Sequence, residues 1–230
     1  MINKSKKVIV FGGSGFLGSH VADALTKKGY DVTIFDILVS KYVNEKQKTI
    51  VGDILDANQV KKAVKGSQYI YHFAGLADIN EAKVKPVETV TSNILGTTYI
   101  LEACRKYKVE RFIFASTIYV YSDLGSFYRS SKQACELIIE NYFEEYDLNY
   151  TILRYGSLFG RRANQFNFIR KAISQALLEG KISRKGDGTE IRDYIHVKDA
   201  AKASVEILKG EFINCHIMIK GTQTIRVNEL

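Results

Sequence analysis

A tyrosine and a lysine four residues apart, Tyr128 and Lys132, have the types and spacing for proton transfer. On a helix, residues at this spacing share one face. A free tyrosine, with a pKa near ~10, is a poor base at neutral pH, but a nearby lysine cation favours the phenolate. Tyr128 can then remove a hydroxyl proton while Thr117 holds the reacting oxygen. In a chain with 14 tyrosines this spacing also arises by chance, so its context decides.

Gly12, Gly15 and Gly18 follow a short apolar run and open a helical pattern. Such glycines permit a tight turn and let the backbone approach a pyrophosphate, whose charge meets the N-terminus of the helix. An ordinary glycine turn is the alternative. Asp36 ends the next predicted strand, roughly 20 residues further on, where a carboxylate accepts hydrogen bonds from an adenosine ribose and repels a 2′-phosphate. Together these residues predict a dinucleotide site that favours NAD over NADP.

Short β-branched runs alternate with amphipathic stretches along most of the chain. The alternation predicts an α/β fold of the Rossmann type, a doubly wound parallel sheet with helices on both faces. Thr117 then follows the fifth strand, at the carboxyl edge where open α/β sheets bind ligands. The predicted strands are residues 8–11, 32–35, 49–51, 69–73, 111–115 and 150–153, and the predicted helices are residues 16–28, 58–65, 87–106, 130–146 and 166–179.

The alternation loosens after about residue 156. We therefore expect residues 1–155 to form an NAD-binding core that also carries the catalytic residues. Residues 156–230 are predicted to form a small, partial substrate-binding lobe that is interleaved with the end of the core sheet. At 230 residues, with 46% hydrophobic and 25% charged residues, the chain has the composition of an ordinary globular enzyme.

Several other classes of protein are disfavoured. No apolar run approaches the ~20 residues of a membrane span, and the one behind the basic start is too short for a signal peptide. Three widely spaced cysteines without a Cys-x-x-Cys pair favour reduced thiols in a cytoplasmic protein over disulfides or zinc, and no metal-ligand cluster emerges. The net charge of +8 is spread over helical segments. A solvated basic surface suited to an anionic small substrate is therefore favoured over nucleic-acid binding.

Beyond these features, the chain resembles the extended short-chain dehydrogenase/reductase family, in its NAD-dependent epimerase/dehydratase branch. The G-x-x-G-x-x-G spacing of residues 12–18 is typical of that family, and the Tyr-x-x-x-Lys pair follows in order. Collinear matches run from residue 7 to beyond residue 201. They include residues 52–56 (GDILD), 71–75 (YHFAG), 92–97 (SNILGT), 153–160 (LRYGSLFG) and 186–197 (GDGTEIRDYIHV).

The resemblance implies roles for individual residues. Thr117, Tyr128 and Lys132 fall on the catalytic positions, and Arg192 on one that contacts the substrate diphosphate, although a salt bridge within its own turn is the alternative. A homodimer that pairs through the helices at residues 96–106 and 130–146 is also implied. The cofactor residues would be Gly12, Gly15, Phe16, Leu17, Gly18, Asp36, Asp53, Ile54, Phe73, Ala74, Gly75, Asn93, Tyr128 and Lys132.

The residues after Thr117 discriminate between reactions of this family. Sugar dehydratases resemble one another in a Thr-Asp-Glu sequence there, because elimination of water needs an additional acid and base, whereas this chain has Ile118 and Tyr119. The pattern is closest to UDP-sugar 4-epimerases, which pass through a 4-keto intermediate and return the hydride to the opposite face. An NAD(P)-dependent nucleotide-sugar ketoreductase or dehydratase is the alternative. A catalytically weak NAD-binding regulatory or scaffold protein is another.

Two features depart from the family pattern. Only about ten residues separate Thr117 from Tyr128, where relatives have a longer loop. A short connection would leave the site more open or change the sugar that it accepts. The sequence also stops at Leu230, near the stretch that precedes the family's last helices. Either it is a truncated fragment or an unusually short member.

Overall fold

The computed structural model describes residues 5–184 and 186–230, so residues 1–4 of the predicted core and residue 185 of the predicted lobe lie outside the described residues. Its centre is a parallel sheet of seven strands. In chain order, the strands of the molecule are β1 (Lys7–Phe11), β2 (Asp31–Asp36), β3 (Lys48–Val51), β4 (Tyr69–His72), β5 (Arg111–Thr117), β6 (Tyr150–Tyr155), β7 (Ser157–Phe159), β8 (Ile191–His196), β9 (Cys215–Ile219) and β10 (Thr224–Arg226).

The strand order of the large sheet is β3-β2-β1-β4-β5-β6-β9, with every neighbouring pair parallel. The chain winds outward from β1 in one direction and from β4 in the other, which is the doubly wound Rossmann order. The predicted fold class is therefore confirmed. Ligands of such sheets bind at the carboxyl ends of the two strands where the order reverses. Here those strands are β1 and β4.

Helices α1, α2, α5, α6 and α8 pack on the two faces of the sheet. In chain order, the helices of the molecule are α1 (Phe16–Lys27), α2 (Ala57–Val64), α3 (Ile79–Val84), α4 (Pro86–Val90), α5 (Gly96–Tyr107), α6 (Ser126–Tyr146), α7 (Phe168–Glu179) and α8 (Val197–Glu206). Alternate residues of β1 face the two sides: Ile9 packs in the core with α2, α5 and α6, and Val10 packs in the core with α1 and α8. Within the described part of the chain, none of the helices combines the length and the apolar character needed to cross a membrane.

The residues after 156 both complete the core and build a lobe. β9 returns to the large sheet beside β6, and α8 packs against α1. The hydroxyl of Tyr71 donates to the Ser204 carbonyl (2.7 Å), which holds α8 on the sheet. The lobe consists of α7 and a small sheet in which β8 pairs parallel with β7 and antiparallel with β10. β7 and β10 have three residues each, too few for an alternating pattern to be read from sequence.

Two predicted helices differ from the structure. The helix predicted at residues 87–106 is divided into α4, a π-helical turn (Thr91–Leu95) and α5. Asn93 lies in the π turn, where its side chain is buried and its carbonyl accepts from the Cys135 thiol (3.1 Å). The helix predicted from residue 130 begins at Ser126, so Tyr128 lies in the first turn of α6.

Candidate active site

A cavity of about 820 Å³ opens at the carboxyl end of the large sheet, between the sheet and the lobe. The glycine loop, the ends of β4 and β5, the start of α6 and strand β8 all contribute to it. The structure therefore brings together most of the residues that the sequence predicts for one site. They are Gly12, Gly15, Phe16, Leu17, Gly18, Phe73, Gly75, Thr117, Tyr128, Lys132 and Arg192.

The glycine loop is shaped for close backbone approach. Gly12 has a φ of +76°, and a Cβ added to it would lie 2.5 Å from the Ala74 backbone nitrogen. Neither the conformation nor the space admits a side chain. α1 begins just after Gly15, and among the described residues no side chain caps it. The amide groups of its first turn, from Phe16 onward, are thus available to an anion at the positive end of the helix dipole.

Asp36 ends β2 and faces the glycine loop. One carboxylate oxygen accepts from the Ser14 amide (2.9 Å) and the other from the Leu38 amide (3.1 Å). A carboxylate has about four acceptor sites, so these bonds fix its orientation and leave capacity for two ribose hydroxyls. Glycine loop and acidic residue are therefore one hydrogen-bonded unit.

Five predicted cofactor residues do not line the cavity: Asp36, Asp53, Ile54, Ala74 and Asn93. Ile54 is a buried core residue, and Asp53 accepts from the Leu55 amide (2.9 Å). Asn93, also buried, accepts from the Leu76 amide (2.7 Å).

The same Asn93 side chain donates to the Ser131 hydroxyl (2.9 Å) on α6. Its contacts hold the segment after β4 against the helix that carries Tyr128. The structure thus gives Asn93 a positioning contact rather than an open face to a ligand.

Thr117, Tyr128 and Lys132 meet at the junction of β5 and α6. Thr117 is the last residue of β5, and it lines the same cavity as Tyr128. Lys132, one turn further along α6, is buried and donates to the Ala115 carbonyl (2.8 Å). Its Nζ lies 5.9 Å from the centre of the Tyr128 ring. The strand end and one helical turn are sufficient to assemble the three groups.

Burial dominates the electrostatics of these groups. It raises the pKa of Tyr128 to about 12, although the nearby Thr117 hydroxyl opposes the shift. Burial also lowers the pKa of Lys132 to about 8, against the attraction of Glu136. Lys132 is therefore still largely protonated at neutral pH, but its ammonium points to a backbone carbonyl. The protein groups alone do not make Tyr128 a phenolate.

A buried charge network, which the sequence analysis missed, lies beneath Lys132. Glu136 is one turn along α6 and accepts from Ser116, the neighbour of Thr117. Arg154 on β6 makes two bonds to the Glu136 carboxylate, at 3.1 and 2.5 Å. His216 on β9 contacts Arg154 (2.6 Å) and extends the network to Glu140 (2.9 Å). The i,i+4 spacing of Lys132 and Glu136 was a readable signal, but the partners on β6 and β9 come only from the topology.

Arg192 lies in β8 and lines the cavity from the lobe. Its guanidinium donates to the Ile191 carbonyl (3.2 Å) and makes no salt bridge with any described residue. The nearby carboxylate, Glu190, pairs instead with Arg184. A salt bridge in its own turn therefore does not account for Arg192, and its charge is available to an anion. Other lining residues that the sequence analysis did not single out include Asn164, Asn167 and Tyr194.

The short connection between Thr117 and Tyr128 is held in place by α6. It forms a 3₁₀ turn (Ile118–Tyr121) and then a left-handed glycine, Gly125, with a φ of +106°. The side-chain amide of Gln133 donates to the Val120 carbonyl (2.9 Å). Arg129 donates to the Ser122 carbonyl. This connection is therefore anchored rather than free to fold over the cavity.

Comparison with known proteins is consistent with this geometry. The sequence model of the NAD dependent epimerase/dehydratase family matches residues 8–214. The chain belongs to this family. It is therefore an enzyme of the epimerase/dehydratase type, and NAD is the cofactor of its family. The match spans every residue that the sequence analysis assigned to the site.

Relatives within the family differ in reaction. The chain is 31% identical to a UDP-glucose 4-epimerase of Schizosaccharomyces pombe, over 94% of this chain and 75% of that protein. It is 32% identical to a UDP-N-acetyl-α-D-glucosaminuronate decarboxylase of Bacillus cytotoxicus, over 91% of this chain and 74% of that protein.

Among solved structures, the UDP-glucuronic acid 4-epimerase of Bacillus cereus, in complex with UDP-glucuronic acid and NAD, is similar. The TM-score is 0.89 at 27% identity, and the match covers 97% of this chain and 80% of that chain. Similarity thus gives the family and the fold, and the choice between reactions depends on the site.

Proposed function

We propose that this enzyme is an NAD-dependent 4-epimerase of UDP-sugars. The observation that carries the proposal is the acid–base content of the cavity. Thr117, Tyr128 and Lys132 are together, and the lining contains one carboxylate among the described residues, Glu190, which is paired with Arg184. Elimination of water or loss of CO₂ from a sugar would call for further groups, whereas oxidation and reduction at one carbon requires a single base that also returns its proton.

The residues around the glycine loop fit NAD. The Gly12 turn, which excludes any Cβ, and the uncapped start of α1 suit a pyrophosphate. The free acceptor capacity of Asp36 suits the hydroxyls of an unphosphorylated ribose. In the proposal, Tyr128 and Lys132 hold the ribose next to the nicotinamide. When bound, NAD supplies the acceptor and then the donor of one hydride.

The proton chemistry falls to this chain's own residues. Tyr128 Oη takes the proton of the sugar C4 hydroxyl as the C4–H bond breaks, and it returns the proton when the C4–H bond reforms on the opposite face. Thr117 Oγ1 donates a hydrogen bond to the reacting oxygen. Because burial raises the pKa of Tyr128 to about 12, the phenolate requires cations close by. Lys132, whose Nζ lies 5.9 Å from the centre of the Tyr128 ring, supplies one such charge, and the nicotinamide adds its charge when the cofactor is bound.

The proposal places the substrate diphosphate at Arg192, whose guanidinium lacks a carboxylate partner among the described residues. By family resemblance the enzyme would act as a homodimer that pairs through α5 and α6. Exposed Leu137 on α6 suits such contact, being 62% exposed. The three reduced cysteines, Cys104, Cys135 and Cys215, suit a cytoplasmic enzyme.

The test is turnover by the purified, NAD-loaded protein. Given UDP-glucose, UDP-galactose and their N-acetyl and uronate relatives, it should interconvert at least one C4 pair. The Tyr128→Phe variant should lose roughly 10²–10⁴-fold in kcat, the usual contribution of general acid–base catalysis. Tyr146→Phe, at an exposed position of the same helix, is the matched control and should retain activity. NAD binding without interconversion on the whole panel would refute the proposal, as would a 6-deoxy-4-keto or pentose product.

A further inference from the structure

A second cavity, of about 960 Å³, lies outside the candidate active site. Its floor is the packed face of α1 and α8, including Ala24 and Ala201, and Tyr42 from the β2–β3 connection closes one side. The segment after β7 forms the remaining wall. This volume falls in the range of small-molecule sites, about 300–1,000 Å³.

Positive charge is concentrated in this cavity. Among the described lining residues the single carboxylate is Asp23, so six cations and one anion give the lining a formal charge of +5. The whole chain carries +8. The six cationic side chains are Lys27, Lys28, Arg161, Arg162, Lys198 and Lys202.

Two of these cations have acidic partners among the residues that the structure describes. Arg162 pairs with Asp23 (2.9 Å), and Lys28 pairs with Glu206 (2.8 Å). The other four, Lys27, Arg161, Lys198 and Lys202, make no salt bridge with any residue that the structure describes. Like charges around one concavity repel each other, and an anion between them would relieve that repulsion.

The arginine wall is pre-positioned. The Arg162 guanidinium stacks over the Tyr42 ring at 4.5 Å from its centre, and its bond to Asp23 fixes its direction. The Arg161 carbonyl contacts the His20 imidazole (3.0 Å) on α1. Burial lowers the pKa of His20, so this ring is neutral at pH 7 and adds no charge to the cavity. A ligand would therefore meet a wall whose backbone is already anchored.

We propose that this cavity binds a small polyanion with two or more linked phosphate groups. Arginine forks and lysine ammonium groups are the usual phosphate partners. Lys198 also lies in the first turn of α8, where the helix dipole favours negative charge. A concave site of small-molecule size selects a compact ligand over a duplex or a membrane surface, which need an extended face. The phosphate chain can come from a free polyphosphate or from a nucleotide.

This site has a direct route to the candidate active site. Arg161 and Arg162 precede Asn164 and Asn167, which line the cavity that holds Tyr128. One short segment therefore forms a wall of both cavities, and a bound polyanion would act on that shared wall.

The experiment is calorimetric titration of the NAD-loaded protein with sodium tripolyphosphate at fixed ionic strength. Saturable binding is expected, and the double variant Arg161→Gln/Lys202→Gln should weaken it at least tenfold. Lys62→Gln/Lys83→Gln removes the same charge from exposed positions elsewhere and should leave it unchanged. Arg192→Gln, in the active site, should also leave the affinity for tripolyphosphate unchanged.

A titration with ATP tests whether the phosphate chain comes from a free polyphosphate or from a nucleotide. Equal affinity for ATP and tripolyphosphate supports a site for the phosphate chain alone, and tighter binding of ATP supports a nucleotide site.

Three outcomes would overturn the proposal: no binding, equal weakening by the cavity and control variants, or weakening by Arg192→Gln alone. Misfolding is checked by thermal unfolding of the ligand-free proteins. Because the double variant removes mutually repelling charges, it should melt at or above the temperature of the unmodified protein. Tripolyphosphate should raise the melting temperature of the unmodified protein more than that of the double variant at the same concentration.

Discussion

The two ends of the candidate active site differ in the chemical groups that form them. The end beneath α1 and α6 is formed by glycine backbone and by the buried Lys132, and the buried Glu136 lies behind this lysine. The lobe end is formed by long side chains, Arg184 and Arg192, and α7 has no buried residue. A rigid end suits a cofactor that stays in place, and a thinly packed end suits a substrate that enters and leaves. Changes at the first end should affect folding and chemistry, and changes at the second should affect mainly affinity.

Two arginine–glutamate pairs, one at each end, give the sharpest comparison. Glu136 and Arg154 are largely buried, with side chains 8% and 15% exposed, whereas Glu190 and Arg184 are 34% and 24% exposed. Glu136→Gln leaves Arg154 without its counter-charge and should lower the free energy of unfolding by about 3–5 kcal/mol. Glu190→Gln should cost less than about 1 kcal/mol. Urea unfolding of the two variants measures both, and equal losses would contradict the difference between the ends.

The glycine loop gives the next largest effect. In Gly12→Ala, the new Cβ meets the backbone of Ala74, and the φ of +76° is strained. Strain and overpacking together should cost about 2–4 kcal/mol and weaken NAD binding by at least ~10²-fold. Gly66→Ala is the control, because Gly66 has a similar φ (+80°) with open space around it. It should cost about 1 kcal/mol and leave NAD affinity intact, as measured by urea unfolding and calorimetry. Comparable losses of NAD affinity in both variants would contradict the steric account.

The buried Lys132 should destabilise the folded protein, although the proposed reaction requires its charge. Because its folded pKa of about 8 lies below the unfolded value of 10.5, the unfolded state binds more protons between these values. Stability should therefore rise as the pH increases from about 8 to 10.5. Lys132→Met, which loses the bond to the Ala115 carbonyl, should still be about 1–2 kcal/mol more stable at pH 7. The Lys132→Met variant should be inactive, and its stability should not rise between pH 8 and pH 10.5. Urea unfolding at pH 7 and pH 10 measures this, and a variant less stable than the parent at pH 7 would refute it.

The cofactor end of the site was more predictable from the sequence than the lobe end. Gly12, Asp36 and the Tyr128–Lys132 pair belong to local sequence patterns, and their spacing along the chain was enough to predict the turn and the helix that carry them. The alternation of strand and helix patterns was enough to predict the parallel sheet. The network of Glu136 with Arg154 and His216 joins α6, β6 and β9, and only the folded topology brings them together. Burial could not be read from spacing either, so the rise in the pKa of Tyr128 that burial causes was not predicted.

The lobe was least predictable. Its strands β7 and β10 are three residues long, which is too short for a periodic pattern. Glu190 pairs with Arg184, and Arg192 is therefore left facing the cavity without a carboxylate partner among the described residues. The sequence does not show which of these two arginines the Glu190 carboxylate contacts. Such side-chain pairings are determined by the tertiary packing of a few residues and cannot be read from the periodicity of the sequence.

The most direct test of the proposed 4-epimerase is the fate of the hydrogen on sugar C4. A UDP-sugar that the purified enzyme turns over is supplied with deuterium at C4, without added NADH, and the product is examined by mass spectrometry and NMR. The proposal predicts the C4 epimer with the deuterium retained at C4. Loss of the deuterium to solvent, or a product altered at C5 or C6, would contradict it.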